Sequence, residues 1–243
     1  MSLITAVYVR ELRASALVLD TETTGRSYDD EIIEIAIVKA IDGSVVYDRR
    51  FKPSKPVGAS RYVHGISDGE LRKEDPFNGF AYAELERIME GSIIVAYNAE
   101  FDRRLFAQTL KKYDFREIAC EWKCAMKLYS EFRDTNKNVS LKDACAAFNV
   151  KPGAHRALSD ALACARVLYK IAEAAPKLAP ELIDLPATSE PADDDDDEIM
   201  MTAADFLIQF GWREKSAGEW KDAETGRLFP FLVAMERQRE RMK

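Results

Sequence analysis

The sequence is poor in several things whose absence is informative. No uninterrupted apolar run approaches the ~18 to 20 residues of a membrane span, so no membrane-crossing helix is expected. The opening stretch MSLITAVYVRELRAS does not pass from a basic start through an apolar block to a small-residue cleavage site, which argues against a secretion signal. Only four cysteines occur, Cys120, Cys124, Cys145 and Cys164, and no two form a CxxC pair. Cys145 and Cys164 fall in Ala-rich helical patterns, where a thiol is a small core residue. Reduced cysteines and a cytoplasmic location are the expectation. Histidine is scarcer still, with His64 and His155 alone. There is no internal repeat. Nor is there an excess of one charge over the first 176 residues, which hold 26 Lys+Arg against 26 Asp+Glu. The whole net charge of -7 comes from residues 177–243, with 9 basic and 16 acidic side chains. A neutral body does not exclude a nucleic-acid partner, because local clusters and bound ions matter more than the total.

What is present is 47% hydrophobic content, enough for a packed core, arranged in an orderly succession. SALVLD reads as a buried strand. EIIEIAIVKAI alternates, is followed by the turn signal Asp42-Gly43, and leads to SVVYDRRF, which completes a three-strand meander. AYAELERIME has helical period and stops at Gly91. SIIVAY is a short strand running into the helix NAEFDRRLFAQTLKKY, and CEWKCAMKLY begins a fifth strand whose end is not marked. Ser140 is a good N-cap for SLKDACAAF, and a long amphipathic helix begins near Ala157. A meander followed by alternating helix and strand predicts an α/β fold, a mixed five-stranded sheet with helices on both faces. After Ala175 the character changes. Residues 176–201 carry four prolines and nine acids without periodicity, which reads as a linker, with the run Asp193 to Glu198 solvated. Residues 202–243 read as a small α+β unit: a helix, a hairpin and a closing helix, with Trp212, Trp220 and Phe231 as a minimal core.

The stretch LVLDTETTG, residues 17–25, poses the chemical question. Strand side chains alternate faces, so Asp20 and Glu22 point the same way and Thr21 points away. Two like charges that close repel unless cations offset them. A solvated strand end would place the same pair, so other stretches must decide. YNAEFDRRLF puts Asp102 in the first turns of a helix directly after a strand. HRALSDALA places His155 before a helix and Asp160 inside it. In such a sheet the ends of parallel strands and the starts of the following helices lie at one edge, so the four acids can meet there. Four carboxylates together require divalent cations, and an all-oxygen set suits Mg²⁺ or Mn²⁺ rather than zinc. Two such ions ~3.5–4 Å apart clamp both oxygens of a phosphodiester displacement. A neutral imidazole nearby accepts the proton of the attacking water.

These segments carry a resemblance. LDTETTG, NAEFD and HRALSD resemble, in order and spacing, the three motifs of the DEDDh family of 3′→5′ exonucleases, which includes the proofreading epsilon subunit of bacterial DNA polymerase. VHGIS resembles a further short motif of that family. NAEFDRRLF followed by EWKCAMKLY is most similar to its exodeoxyribonuclease X branch. The resemblance spans residues 14–172 and implies a ribonuclease H-like fold. It implies that Asp20, Glu22 and Asp160 hold a pair of Mg²⁺ or Mn²⁺ ions, that Asp102 completes the second ion's shell, and that His155 is the general base. Thr23 and Thr24 would hold the terminal nucleotide at its 3′ end, and Asn98, Phe101 and His64 would line its pocket. Read without the resemblance, Phe101 is core, Asn98 a helix cap and His64 the closure of a turn. Three positions depart from the family pattern: Tyr97 where several relatives have His, Glu100 where a small residue is usual, and Arg156 where Gly is frequent. Glu100 adds a carboxylate that disfavours the phosphate backbone, and Arg156 a cation that attracts it.

The expected activity is therefore removal of nucleoside 5′-monophosphates from DNA 3′ ends, single strands preferred, in repair or proofreading. A ribonuclease of the same fold, trimming RNA ends, shares the chemistry. A third reading makes the fold a polymerase-associated binding module, tethered through residues 202–243. The expected domains are 1–175 for the exonuclease, 176–201 for the linker and 202–243 for the C-terminal unit.

Overall fold

The computed structural model describes residues 1–175 and, beyond them, residues 213–216, 219–222, 228–230, 234, 237, 240 and 241. The linker, the helix expected over TAADFLIQFGW, and Trp212 and Phe231 of the expected minimal core lie outside what is described, while Trp220 falls in a strand. The chain opens with helix α1 (Leu3–Ser15), where Ser2 caps the first turn by accepting from Thr5 N–H. Strands β1 (Leu17–Thr23), β2 (Ile32–Lys39) and β3 (Val45–Arg50) then form the expected meander. The β2–β3 turn closes on Gly43 at φ +75°, a left-handed position that glycine takes without a Cβ penalty. A 3-10 turn at Gly58–Ser60 leads to the short helices α2 (Arg61–His64) and α3 (Asp68–Leu71). Helix α4 (Gly79–Met89), capped by Asn78, precedes β4 (Ile93–Ala96) and α5 (Ala99–Lys112). Strand β5 (Glu121–Cys124) ends where α6 (Ala125–Phe132) begins, which places the boundary that the sequence left unmarked. Helices α7 (Leu141–Ala147), capped by Ser140, and α8 (Ala157–Glu173) complete the body.

The sheet order is β3-β2-β1-β4-β5. β1 is antiparallel to β2 and parallel to β4, and β5 is parallel to β4. Alternation along the strands sorts side chains into two apolar layers. Val18, Val38 and Val95 pack on one face with α1, α6, α7 and α8. Leu19, Ile35, Ile37 and Ile94 pack on the other with α4 and α5. Each fully buried side chain of this size contributes about 1.5–3 kcal/mol. Every residue of β2 from Ile32 to Val38 is buried, so the sheet is covered on both sides there. Helix α1, which the sequence reading left unassigned, packs against α8 and α6 and buries Ala6, Val7, Tyr8, Val9 and Leu12. Beyond the body, β6 (Arg213–Ser216), β7 (Glu219–Lys221) and β8 (Leu228–Pro230) form an antiparallel sheet, so the expected hairpin gains a third strand. Among the described residues no helix is long and apolar enough to cross a membrane.

Candidate active site

The two-layer sorting decides where the acids of β1 point. Asp20 and Glu22 continue the face of Val18, toward α8, and Thr21 continues the face of Leu19, toward α5. Helix α8 carries Asp160 in its first turn. One carboxylate oxygen from each of Asp20, Glu22 and Asp160 lies within 4.8 Å of the other two. Among the described residues no lysine or arginine forms an ion pair with any of the three. Burial therefore acts without relief. It raises Asp20 well above the usual carboxylate range, with repulsion from Asp102, Asp160, Glu22 and Glu34 added. Burial, then Asp160, Glu34 and Asp102, push Glu22 up to about 8. Asp160 is raised by burial against the pull of His155. An all-oxygen donor set under such repulsion fits a hard divalent cation.

Asp102 reaches the same strand end from the opposite layer. It sits in the first turn of α5, buried, and Thr21 Oγ1 donates to its Oδ1 at 2.8 Å. Burial pushes it up to about 7, opposed by the Thr21 hydroxyl and by backbone N–H groups. Its field is felt at Asp20 and Glu22, although its oxygens are not part of the three-acid cluster. Thr21, which the sequence reading set aside as pointing away, is thus what orients the fourth acid.

His155 precedes α8 in the left-handed region, at φ +52°. Its imidazole is 67% exposed, with Nδ1 4.0 Å from Asp160 Oδ2. Thr23 Oγ1 donates to Gly25 O at 2.7 Å, and Thr24 Oγ1 donates to Asp30 Oδ1 at 2.8 Å. Both threonines are buried at the turn that follows β1. Ser60 Oγ donates to Thr24 O at 2.9 Å, which brings the α2 segment, and His64 with it, beside this turn. His64 closes its own turn, accepting from Ile66 N–H at Nδ1, yet it is 5% exposed and its Nε2 has no hydrogen-bond partner among the described residues. Burial lowers its pKa. Asn98 is exposed at the start of α5, and its side chain caps nothing. Phe101 packs partly buried on the α5-side core, the reading made without the resemblance, and its ring lies 5.5 Å from the Arg104 guanidinium.

Three contributors were missed by the sequence reading. A Cβ at Gly153 would fall on the Asp160 carboxylate, so this turn approaches the acid as only glycine can. Asp30 ties down the β1–β2 turn, accepting from Thr24 and Ser27 N–H. Glu34 lies directly opposite Glu22 in the β1–β2 register, on the same face. Its signal was an acid inside an otherwise apolar strand. Its partner is Arg156, whose Nε and Nη2 donate to Glu34. The cation expected to attract the phosphate backbone is instead engaged by a buried carboxylate.

Comparison with known proteins agrees with this geometry. The RNase_T exonuclease model matches residues 17–168. The chain is 33% identical over 164 residues to the uncharacterized exonuclease CP81 of Escherichia phage 186, covering 61% of this chain and 84% of that protein. It is 33% identical over 173 residues to a PolC-type DNA polymerase III of Thermotoga petrophila, covering 68% of this chain but only 12% of the polymerase. Among solved structures, exonuclease X in complex with 5′ overhanging duplex DNA matches with TM-score 0.51 and 27% identity, over 65% of this chain and 91% of that one. The nuclease domain of 3'hExo, a DEDDh family member bound to rAMP, shares the fold at TM-score 0.54 and 14% identity, over 65% of this chain and 91% of that one. The motifs, the sheet order and the matched span converge, and the chain belongs to the RNase_T exonuclease family, on the fold of its DEDDh members.

Proposed function

We propose that the protein is a metal-dependent 3′→5′ exonuclease acting on DNA ends, single strands preferred, in repair or proofreading in the cytoplasm. The observation that carries this reading is the cluster of Asp20, Glu22 and Asp160, uncompensated by any described lysine or arginine and flanked by His155. The three acids would hold a pair of Mg²⁺ or Mn²⁺ ions, with Asp102 completing the set. When bound, the ions supply positive charge where negative charge develops on the phosphate. Thr23 and Thr24 would seat the terminal nucleotide, with His64, Asn98 and Phe101 around it. His155 takes a proton from the attacking water. The water oxygen bonds to phosphorus, the bond from phosphorus to the 3′ oxygen of the preceding nucleotide breaks, that oxygen takes a proton from solvent, and a nucleoside 5′-monophosphate leaves. Support for DNA comes from exonuclease X, solved with 5′ overhanging duplex DNA. The PolC-type relatives, of which the chain spans 12% in the Thermotoga petrophila case, suggest a polymerase contact, for which residues 202–243 are the candidate.

The test is digestion of end-labelled single-stranded DNA, duplex DNA and RNA side by side with Mg²⁺. Stepwise shortening of DNA from the 3′ end is expected, fastest on single strands. Faster loss of RNA would reassign the protein as an RNA-trimming exonuclease. Binding of 3′ ends without shortening would leave a binding module. His155→Ala should lower the single-turnover rate by about 10²–10⁴-fold, the usual worth of a general base.

A further inference from the structure

We propose that Glu34 and Arg156 are positioning residues: a buried carboxylate on β2 grips the residue after His155 and so sets where the imidazole stands. This deepens the reading of His155 as the base and rests on it.

The contacts of Glu34 account for both of its oxygens. Oε1 accepts from Arg50 Nε at 2.9 Å and from Arg156 Nη2 at 2.6 Å. Oε2 accepts from Arg156 Nε at 3.1 Å and from the Ala157 N–H at 2.9 Å. The side chain is 3% exposed. Glu34 thus brings a further acid to the face of Glu22, but its charge is matched by two guanidiniums and none of its oxygens is left to coordinate an ion. An acid in that place costs repulsion against Asp20, Glu22 and Asp160. Its compensating role lies in what it holds.

What it holds is the start of α8. The first amides of a helix lack partners within the helix, and the residue before them usually supplies an oxygen. Here that residue is Arg156, whose side chain has none to give. The oxygen comes from Glu34 across the sheet instead. A second pin lies on the other side of His155: Ala154 N–H donates to Ser159 Oγ at 2.9 Å, and that hydroxyl donates to Arg156 O at 3.0 Å. Among the described residues the imidazole pairs with Asp160 alone, at 4.0 Å, and is mostly in solvent. Its position is therefore set by its backbone, and the backbone is set by these two pins. The forked, two-nitrogen grip of Arg156 fixes direction as well as distance, which a lysine would not.

Arg156 separates this role from metal holding, because its loss leaves the Glu34–Ala157 bond in place. Outer-shell groups of this kind are worth about 10–100-fold in rate. Single-turnover rates on single-stranded DNA should be measured for the wild type, Arg156→Ala, His155→Ala and the double variant. Steady-state kcat and KM, and melting temperature with and without Mn²⁺, complete the set. Arg156→Ala is expected to lower kcat about 10–100-fold with KM nearly unchanged and the Mn²⁺-induced shift in melting temperature intact. The double variant should match His155→Ala. Losses that multiply in the double variant, or a raised KM with kcat preserved, would overturn the proposal and make Arg156 a substrate contact. Wild-type rate in His155→Ala would overturn the base reading, and this inference with it. Wild-type rate in Arg156→Ala alone would overturn only the inference. Should Arg156→Ala fail to unfold cooperatively, Arg156→Lys carries the same test, with a smaller loss of kcat in the same direction.

Discussion

Two groups of acids, one around the start of β2 and one shared by β1 and α8, could hardly be treated more differently. Asp30, Glu31 and Glu34 line the start of β2, all buried, and each is met by cations and hydrogen-bond donors. Burial pushes Glu31 upward, but Lys112, Tyr113 and Ser54 outweigh it and leave its carboxyl below the usual range. Asp30 behaves likewise under burial, with Lys55, Ser27 and Thr24 prevailing. Asp20, Glu22 and Asp160 are no more buried, yet all are raised, because the protein gives them each other instead of cations. The contrast separates acids whose charge the fold matches from acids whose charge it leaves unmatched. Solvent exposure alone would have ranked the groups the other way, since Asp30, Glu31 and Glu34 are buried and Asp20, Glu22 and Asp160 only half-buried.

The comparison can be broken most decisively at Asp20. Asp20→Asn should leave no measurable hydrolysis, a loss beyond the ~10⁴-fold that one general base supplies. It should also remove the stabilisation by Mn²⁺, which for a bound ligand at 100 times its Kd is about 2.7 kcal/mol. Equal Mn²⁺ stabilisation of variant and wild type, read by thermal unfolding, would mean the cluster does not bind the ion.

Glu31 offers the opposite perturbation. Glu31→Ala removes the acceptor shared by Lys112, Tyr113 and Ser54, and hydrogen bonds to a charged group are worth about 1.5–3 kcal/mol. Lys112 is solvated enough to survive alone. Urea unfolding should show the loss, while DNA hydrolysis per folded molecule and the Mn²⁺ response stay near wild type. Loss of the Mn²⁺ response would place Glu31 in the wrong group.

The third expected effect is a slope. Glu22 rises from 4.5 to about 8 in the ion-free fold, so the fold binds a proton that the unfolded chain releases. The associated stability is fully present below about pH 4.5 and is lost as pH rises through about 8. Melting temperature in EDTA should therefore fall across that window, and Glu22→Gln should reduce the fall. Glu31 and Asp30, lowered instead, lose their contribution only toward acid pH and do not mask it. A flat profile for the wild type in EDTA would show that the cluster is compensated after all.

How much of this was legible beforehand divides along physical lines. Asp20 and Glu22 sharing a face follows from strand alternation alone, and the hairpin at Asp42-Gly43 follows from turn chemistry. Asp160 and His155 came from spacing before a strongly periodic helix. Helix α1 was not seen because Ile4, Thr5, Val7 and Val9 are β-branched and poor helix formers; burial against α8 overrides that preference, and only Ser2 marked its start. Glu34 and Arg156 stand 122 residues apart, and nothing local to either position announces the pair. Thr21 was read correctly as facing away from the acids, but what waits on its far side is a property of α5 and the layer order, not of the strand.

The backbone at His155 carries a consequence for anyone who evolves this protein. At φ +52° an L-residue bears a steric cost that glycine escapes, of about 1–2 kcal/mol. Selection for thermal resilience alone would therefore favour glycine at 155, and each round of it would reward the loss of the imidazole. With His155 as the proposed base, fitness measured as heat tolerance and fitness measured as turnover point in opposite directions at this one codon. On that proposal, a library screened without substrate would drift toward a sturdier protein with slower turnover.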